Sequence, residues 1–281
     1  MSRVLTAGRS VRALHCLALL NCLTTGSVLL SAQDLPAPDA RSGQIALVSR
    51  TLWRSMTLTD AISFNTQVAL PLFGAPGLLN GVQLEGRSWN ALEDRTRFRY
   101  ADQYALTARY LKRIGSSTRA QYVSLGYTEY VNPNLPSGTG ALDKWNGEVG
   151  LGVALETGFP TLGIPSVHFY GEVARELQRS EATYARVTAS HTVGAGALSA
   201  TATLSVSASD YPSRLLVAQQ PSQDFGFHSV DGELAVGYTW PRSRLSSYAT
   251  VTSLMLGGSL RAERLGPKVG WIGVRQFIQV F

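Results

Sequence analysis

From Leu198 to Ser209 the chain alternates without a break. Leu198, Ala200, Ala202, Leu204, Val206 and Ala208 occupy the even positions; Ser199, Thr201, Thr203, Ser205, Ser207 and Ser209 occupy the odd ones. Successive side chains of a strand point to opposite faces, so a period of two gives one apolar face and one hydroxyl face. A helix would scatter both sets around its circumference. Soluble strands are usually about 5–6 residues long, whereas crossing a bilayer on a tilt takes about 9–11. The segment therefore reads as a transmembrane strand, apolar side to lipid and hydroxyl side to water. A long strand of a secreted sandwich is the alternative, and this segment alone leaves both open.

The same period recurs along the chain. The pattern predicts strands over Gln44–Arg54, Ile62–Leu72, Gly81–Asn90, Gln103–Arg113, Arg119–Val131, Trp145–Glu156, Val167–Glu176 and Thr183–Val193. After the opening segment come Val230–Trp240, Leu245–Leu256 and Lys268–Phe281. Trp145–Glu156 is the clearest of these, with Val149, Leu151, Val153 and Leu155 on one side and Glu148, Gly150, Gly152 and Glu156 on the other. About twelve strands result, and no helical period competes with them. Short connections such as Arg113–Thr118, Thr192–Gly196 and Trp240–Arg244 mostly alternate with long polar ones such as Asn90–Asp102, Tyr130–Lys144, Ser209–Phe227 and Gly257–Lys268. That asymmetry and an even strand number fit an up-and-down, antiparallel outer-membrane β-barrel; a sandwich has no reason to sort its loops so. Trp53, Trp89, Trp145, Trp240 and Trp271 all fall near predicted strand ends, where an interfacial aromatic girdle would sit.

The amino terminus changes the picture of where the chain works. Arg3, Arg9 and Arg12 precede the apolar stretches Ala13–Leu20 and Ser27–Leu30, and small residues follow at Ser31 and Ala32. A basic start, an apolar middle and a small-residue end predict a secretory signal peptide over 1–32, cleaved near Ala32. Residues 33–42 then form a short periplasmic tail and 43–281 the barrel. Both cysteines, Cys16 and Cys22, lie in the leader, so the mature chain has no thiol chemistry and no disulfide. Removing the three leader arginines takes 25 basic residues to 22 against 19 acidic ones, a net +3. That is too mild for a nucleic-acid partner, and no basic stripe with interleaved aromatics appears.

The chain ends W-I-G-V-R-Q-F-I-Q-V-F on Phe281. A terminal aromatic on the last strand resembles the signal that barrel proteins present to their assembly machinery. Phe277 keeps the alternate apolar pattern, but Arg275 and Gln279 break it, and a bulge near Gln276 would restore it. Thr51–Asp60, T-L-W-R-S-M-T-L-T-D, followed by S-F-N-T-Q-V-A-L, resembles the first hairpin of TorF-type outer-membrane porins. Trp53, Arg54, Thr57 and Thr59 match, and Ser55 replaces a glycine. The resemblance covers about twenty residues and implies a barrel more firmly than a solute.

Candidate chemistry is sparse. Barrel lipases pair a His with a Ser two residues on, but the residues following His168, His191 and His228 at that spacing are Tyr170, Val193 and Val230. Ser229, next to His228, would face the other side of a regular strand. No metal-ligand spacing or phosphate loop appears, so no cofactor is expected. The pore-lining candidates are Arg50, Arg54, Glu85, Arg87, Arg109, Glu148, His168, Tyr170, Glu172, Arg186 and Glu233. In a narrow barrel such charges brace a closed interior; in an open one they bias which solutes pass. The expected function is passive diffusion of small polar solutes across the outer membrane, with outer-membrane lipid as the surroundings. A closed-lumen scaffold working through its loops and a lipid-directed barrel enzyme are the alternatives.

Overall fold

The structure is a computed structural model, and it describes residues 41–53, 56–59, 62–73, 80–92, 103–114, 121–131, 145–159, 164–177, 181–210, 224–241, 248–262 and 268–280. The expected leader and most of the expected tail lie outside these residues. In chain order the strands are β1 (Arg41–Val48), β2 (Thr51–Trp53), β3 (Met56–Thr59), β4 (Ser63–Phe73), β5 (Asn80–Ala91), β6 (Gln103–Arg113) and β7 (Tyr122–Val131). Then come β8 (Trp145–Phe159), β9 (Ile164–Glu176), β10 (Thr183–Ala195), β11 (Leu198–Ser209), β12 (Gly226–Thr239), β13 (Tyr248–Arg261) and β14 (Val269–Val280). Twelve of them, β1 and β4 to β14, pair antiparallel into one closed barrel, sealed where β1 meets β14. Closure leaves no sheet edge, which is the condition for a sheet to lie in hydrocarbon.

Alternation decides which way each side chain points. On β11, Leu198, Ala202, Leu204 and Val206 are exposed, whereas Thr201, Ser205, Ser207 and Ser209 are buried. On β8, Leu151 is 61% exposed while Ala154, three positions on, is 7% exposed. The exposed parity is the convex exterior, and it is leucine, valine and isoleucine on most strands: Leu106, Leu125, Val173, Val187, Leu234, Leu254 and Ile272 all stand out. So wide an apolar exterior is untenable in water and is what a lipid-facing barrel presents. On β4, β5 and β6 four polar residues of this face are tied to one another. Thr66 and Ser88 share a hydrogen bond at 2.8 Å, Asn90 Nδ2 donates to Ser88 at 3.0 Å, and the Tyr104 hydroxyl donates to Asn90 at 3.0 Å.

The turns follow from local chemistry. β10 and β11 are joined by Gly196 and Ala197 alone, with Ala195 opposite Leu198. Gly196 takes φ 63°, the conformation a tight two-residue hairpin asks of its first residue and glycine adopts without strain. Pro71 sits in β4 beyond the last residue that pairs with β1, so its missing N–H costs that ladder nothing.

Three expectations are corrected. Gln44–Arg54 is not one strand: β1 ends at Val48, Ser49 and Arg50 bend, and β2 and β3 form a separate two-stranded sheet. Arg50 therefore lies off the barrel strands, and Arg54 falls outside the described residues. The last strand has no bulge at Gln276. Its pairing with β1 and with β13 is continuous there, and Arg275 and Phe277 point inward while Ile272, Val274 and Gln276 point outward. The tryptophans do not make a common girdle. Trp240 is 53% exposed on the exterior with Tyr238 edge-on beside it, but Trp89 and Trp271 have the inward parity, Trp271 packing over Gly257. The side chains of Trp53 and Trp145 are outside the description.

Candidate functional site

Among the described residues, charged groups converge on the inner wall. Glu85 and Arg87 on β5, Arg109 on β6, Glu148 on β8, and His168, Tyr170 and Glu172 on β9 all share the inward parity, as do Arg186 on β10 and Glu233 on β12. Nine of the eleven residues singled out in the sequence thus sit on this wall. Arg50 and Arg54 do not join them.

Among the described residues ion groups form at three places on this wall. On β5 and β6, Glu85 takes Arg87 and Arg109, the latter at 3.5 Å, and Gln67 Nε2 donates to the same carboxylate at 3.0 Å. On β9 and β10, Arg186 lies directly opposite Glu172 in register and donates to it at 2.8 Å. On the far side, Arg275 of β14 reaches across β13 to Glu233 of β12 at 3.3 Å. On the strand crossed, Ser253 lies opposite Arg275 and Gly257 opposite Glu233, with the fully buried Met255 between them. Arg109 also lies within electrostatic reach of Tyr170 and Glu172, three strands further round. Glu148 stands opposite Glu176 in register, and Glu176 accepts a hydrogen bond from Asn146.

Between the ion groups the wall is small and hydroxylated. Thr107–Thr128, Thr188–Ser205, Thr192–Thr201 and Ser207–Ser229 are cross-strand pairs in direct register, each joined by one hydroxyl hydrogen bond of 2.8–2.9 Å. Two patches among the described residues are apolar: Leu111, Tyr122, Ala154 and Tyr170 pack together on the inner wall of β6 to β9, and Ala46, Val48, Ala235 and Met255, with Trp271 against them, on that of β12 to β14 and β1. Tyr170 fits because Gly152 carries no side chain; a Cβ there would fall 2.6 Å from both the Tyr170 hydroxyl and Ser124 Oγ.

His228 departs from the sequence reading. The β11–β12 register shifts between Ser207 and Ala208, so that Ser207 faces Ser229 and Ala208 faces Phe227. His228 is the extra residue of that bulge, and it turns inward beside Ser229 rather than opposite to it. Both are fully buried. His228 Nδ1 meets Ser209 Oγ at 2.7 Å, and the ring stands edge-on to Tyr184 at 5.8 Å. A hydrolytic serine must be reachable, and Ser209 and His228 both have 0% exposure; the pair braces the bulge. Among the described residues no group of three or more His, Cys, Asp or Glu is placed to hold a metal ion.

Sequence reasoning missed Arg275, Gln67 and Glu176. Arg275 was readable, because it alternates with the apolar set Ile272 and Val274; the end-of-chain pattern drew attention to the wrong parity.

No family model and no curated protein sequence matches the chain. Among solved structures, the KdgM porin is 9% identical over 85% of this chain and 98% of its own, with a TM-score of 0.47. The NanC porin is 7% identical over 86% and 100%, with a TM-score of 0.46. An outer membrane channel from Pseudomonas putida F1 is 10% identical over 91% and 100%, with a TM-score of 0.49. Similarity this low transfers no residue role, and the function proposed below rests on the barrel's own geometry.

Proposed function

We propose that the chain is an outer-membrane channel for passive diffusion of small polar solutes. The observation that carries this is the solvent contact kept by charges on the inner wall. Arg87 is 21% exposed, Glu172 19%, Arg109 and Arg186 13%, and Glu233 11%. Charges that only braced a dry interior would be sealed from water, since an ion in a dry interior costs several kcal/mol. The apolar exterior and the closed antiparallel ladder support insertion in a bilayer. An even-stranded barrel whose first strand starts at Arg41 opposite the end of the last at Val280 supports the outer membrane, reached through the leader cleaved near Ala32 and through assembly on the last strand ending at Phe281. The likeness of Thr51–Asp60 to TorF-type porins agrees with this reading.

The apolar patch of Leu111, Tyr122 and Tyr170 favours a second reading, a closed scaffold. One experiment separates them. Refolded protein in a planar bilayer is expected to give small, stable conductance steps in potassium chloride. Steady zero conductance, with the barrel shown to be inserted, would leave the scaffold reading and remove the channel.

A further inference from the structure

We propose that the inner wall sets a carboxylate against every arginine of its ion groups, and that Glu172 is the residue that keeps the channel from selecting anions. The inference rests on the channel reading. Each described arginine on the wall's ion groups has an acid within 3.5 Å: Arg87 and Arg109 share Glu85, Arg186 has Glu172, and Arg275 has Glu233. The Glu172–Arg186 and Glu233–Arg275 pairs act on a passing ion as dipoles, whose field falls off faster than that of either charge alone; the positive charge left over where Arg87 and Arg109 share Glu85 is opposed by Glu148 and Glu176 further round the wall, so the wall discriminates weakly between anions and cations.

Glu172 holds a special place among the acids. It is the most solvent-accessible carboxylate of the three wall groups, at 19% against 11% for Glu233 and 2% for Glu85. It also faces two cations, Arg186 beside it in register and Arg109 across β7 and β8. Glu85 is buried beneath its arginines and has little access to the solute path. Removing the Glu172 charge therefore exposes positive potential where solutes pass, and removing the Arg186 charge exposes the reverse. The solutes that such a balanced wall admits without penalty are small and uncharged or zwitterionic, and the hydroxyl pairs on β10 to β12 give them hydrogen-bond partners.

The test is the reversal potential across a planar bilayer in a potassium chloride gradient, for the natural chain, Glu172→Gln, Arg186→Gln and the double variant. The natural channel is expected to be weakly selective. Glu172→Gln should raise the chloride-to-potassium permeability ratio about twofold near 0.1 M: one unit charge at ~10 Å in water changes each ion's Boltzmann factor about twofold in opposite directions, and screening over about 10 Å reduces the resulting fourfold ratio to about twofold. The gain should vanish toward 1 M, where the screening length is about 3 Å. Arg186→Gln should shift the ratio the other way. The double variant strands neither charge, so it folds even where a single change does not, and it should return close to the natural value. Channels that conduct with an unmoved reversal potential in Glu172→Gln, or a natural channel already strongly selective, would overturn the inference and leave the channel standing. Absence of conductance in all four forms would overturn both.

Discussion

Ala202 and Thr203 are chain neighbours with opposite surroundings. Ala202 is on the exposed parity of β11, and Thr203 is on the inward one, directly opposite Glu233. An arginine at Ala202 puts a charge toward hydrocarbon and is expected to cost about 2–4 kcal/mol near the midplane. At Thr203 the same arginine gains a carboxylate neighbour and water, and should cost far less. Urea titration of both variants refolded in lipid vesicles measures the difference, and equal losses would remove the inward and outward assignment of β11. Residue placement was legible wherever the period of two held unbroken, which is why Glu148, Glu172 and Arg186 were found. It failed where the period slips. His228 could not be placed because one inserted residue reverses the parity of everything after it, and neither His228 nor its neighbours differ in kind from residues of a regular strand. Arg50 was misplaced for a related reason: the chain leaves the barrel at Val48, yet Leu52 and Trp53 prolong the apolar pattern beyond it.

At the scale of elements, the exterior of β4, β5 and β6 carries polar groups that a lipid-facing surface should shun. They persist because they satisfy each other, and Ser88 is the middle member, joined to both Thr66 and Asn90. Ser88→Ala removes one partner and leaves the Thr66 hydroxyl facing an apolar medium, which should destabilise by about 1–3 kcal/mol. Thr66→Val with Ser88→Ala removes both hydroxyls of the pair and is expected to recover part of that loss, although Asn90 still loses its Ser88 acceptor. The heat needed to unfold the barrel, read from its shift in electrophoretic mobility, ranks the three forms; a double variant no more stable than Ser88→Ala would show that the hydroxyl pair contributes nothing. Strand existence was legible for all twelve barrel strands: most keep their alternation for most of their length, while Arg119–Val131 alternates less cleanly and Leu245–Leu256 is mixed. The small β2–β3 sheet was not. Its segments are three and four residues long, too short for a period to declare itself, although Thr51–Asp60 was recognisable as a hairpin by resemblance.

The whole molecule depends on one seam that sequence patterns cannot reveal. Alternation shows that strands exist and which face is apolar, but not that the first strand finds the last. Closure pairs β1 with β14 over eight positions, with Leu47 opposite Val274 and both exposed on the exterior. Two hydrogen bonds carry the seam beyond β1: Ser49 N donates to Ile272 O at 2.8 Å, and Ile272 N donates to Ser49 Oγ at 3.1 Å. Directly opposed residues of an antiparallel pair have Cα atoms about 4.5–5.5 Å apart, within the range a disulfide spans. The cysteines are Cys16 and Cys22, so in a chain begun at residue 33 introduced thiols have no competing partners. Leu47→Cys with Val274→Cys is expected to oxidise to an intramolecular bridge in the folded barrel. Leu47→Cys with Arg275→Cys is not, because Arg275 points inward. Leu47→Cys with Ile272→Cys tests a slip of two residues, the smallest that keeps the apolar face toward lipid. Mass measurement after blocking free thiols reads all three. A bridge to Ile272 in preference to Val274 would move the seam's register, and no bridge in any pair would mean that the barrel does not close between β1 and β14.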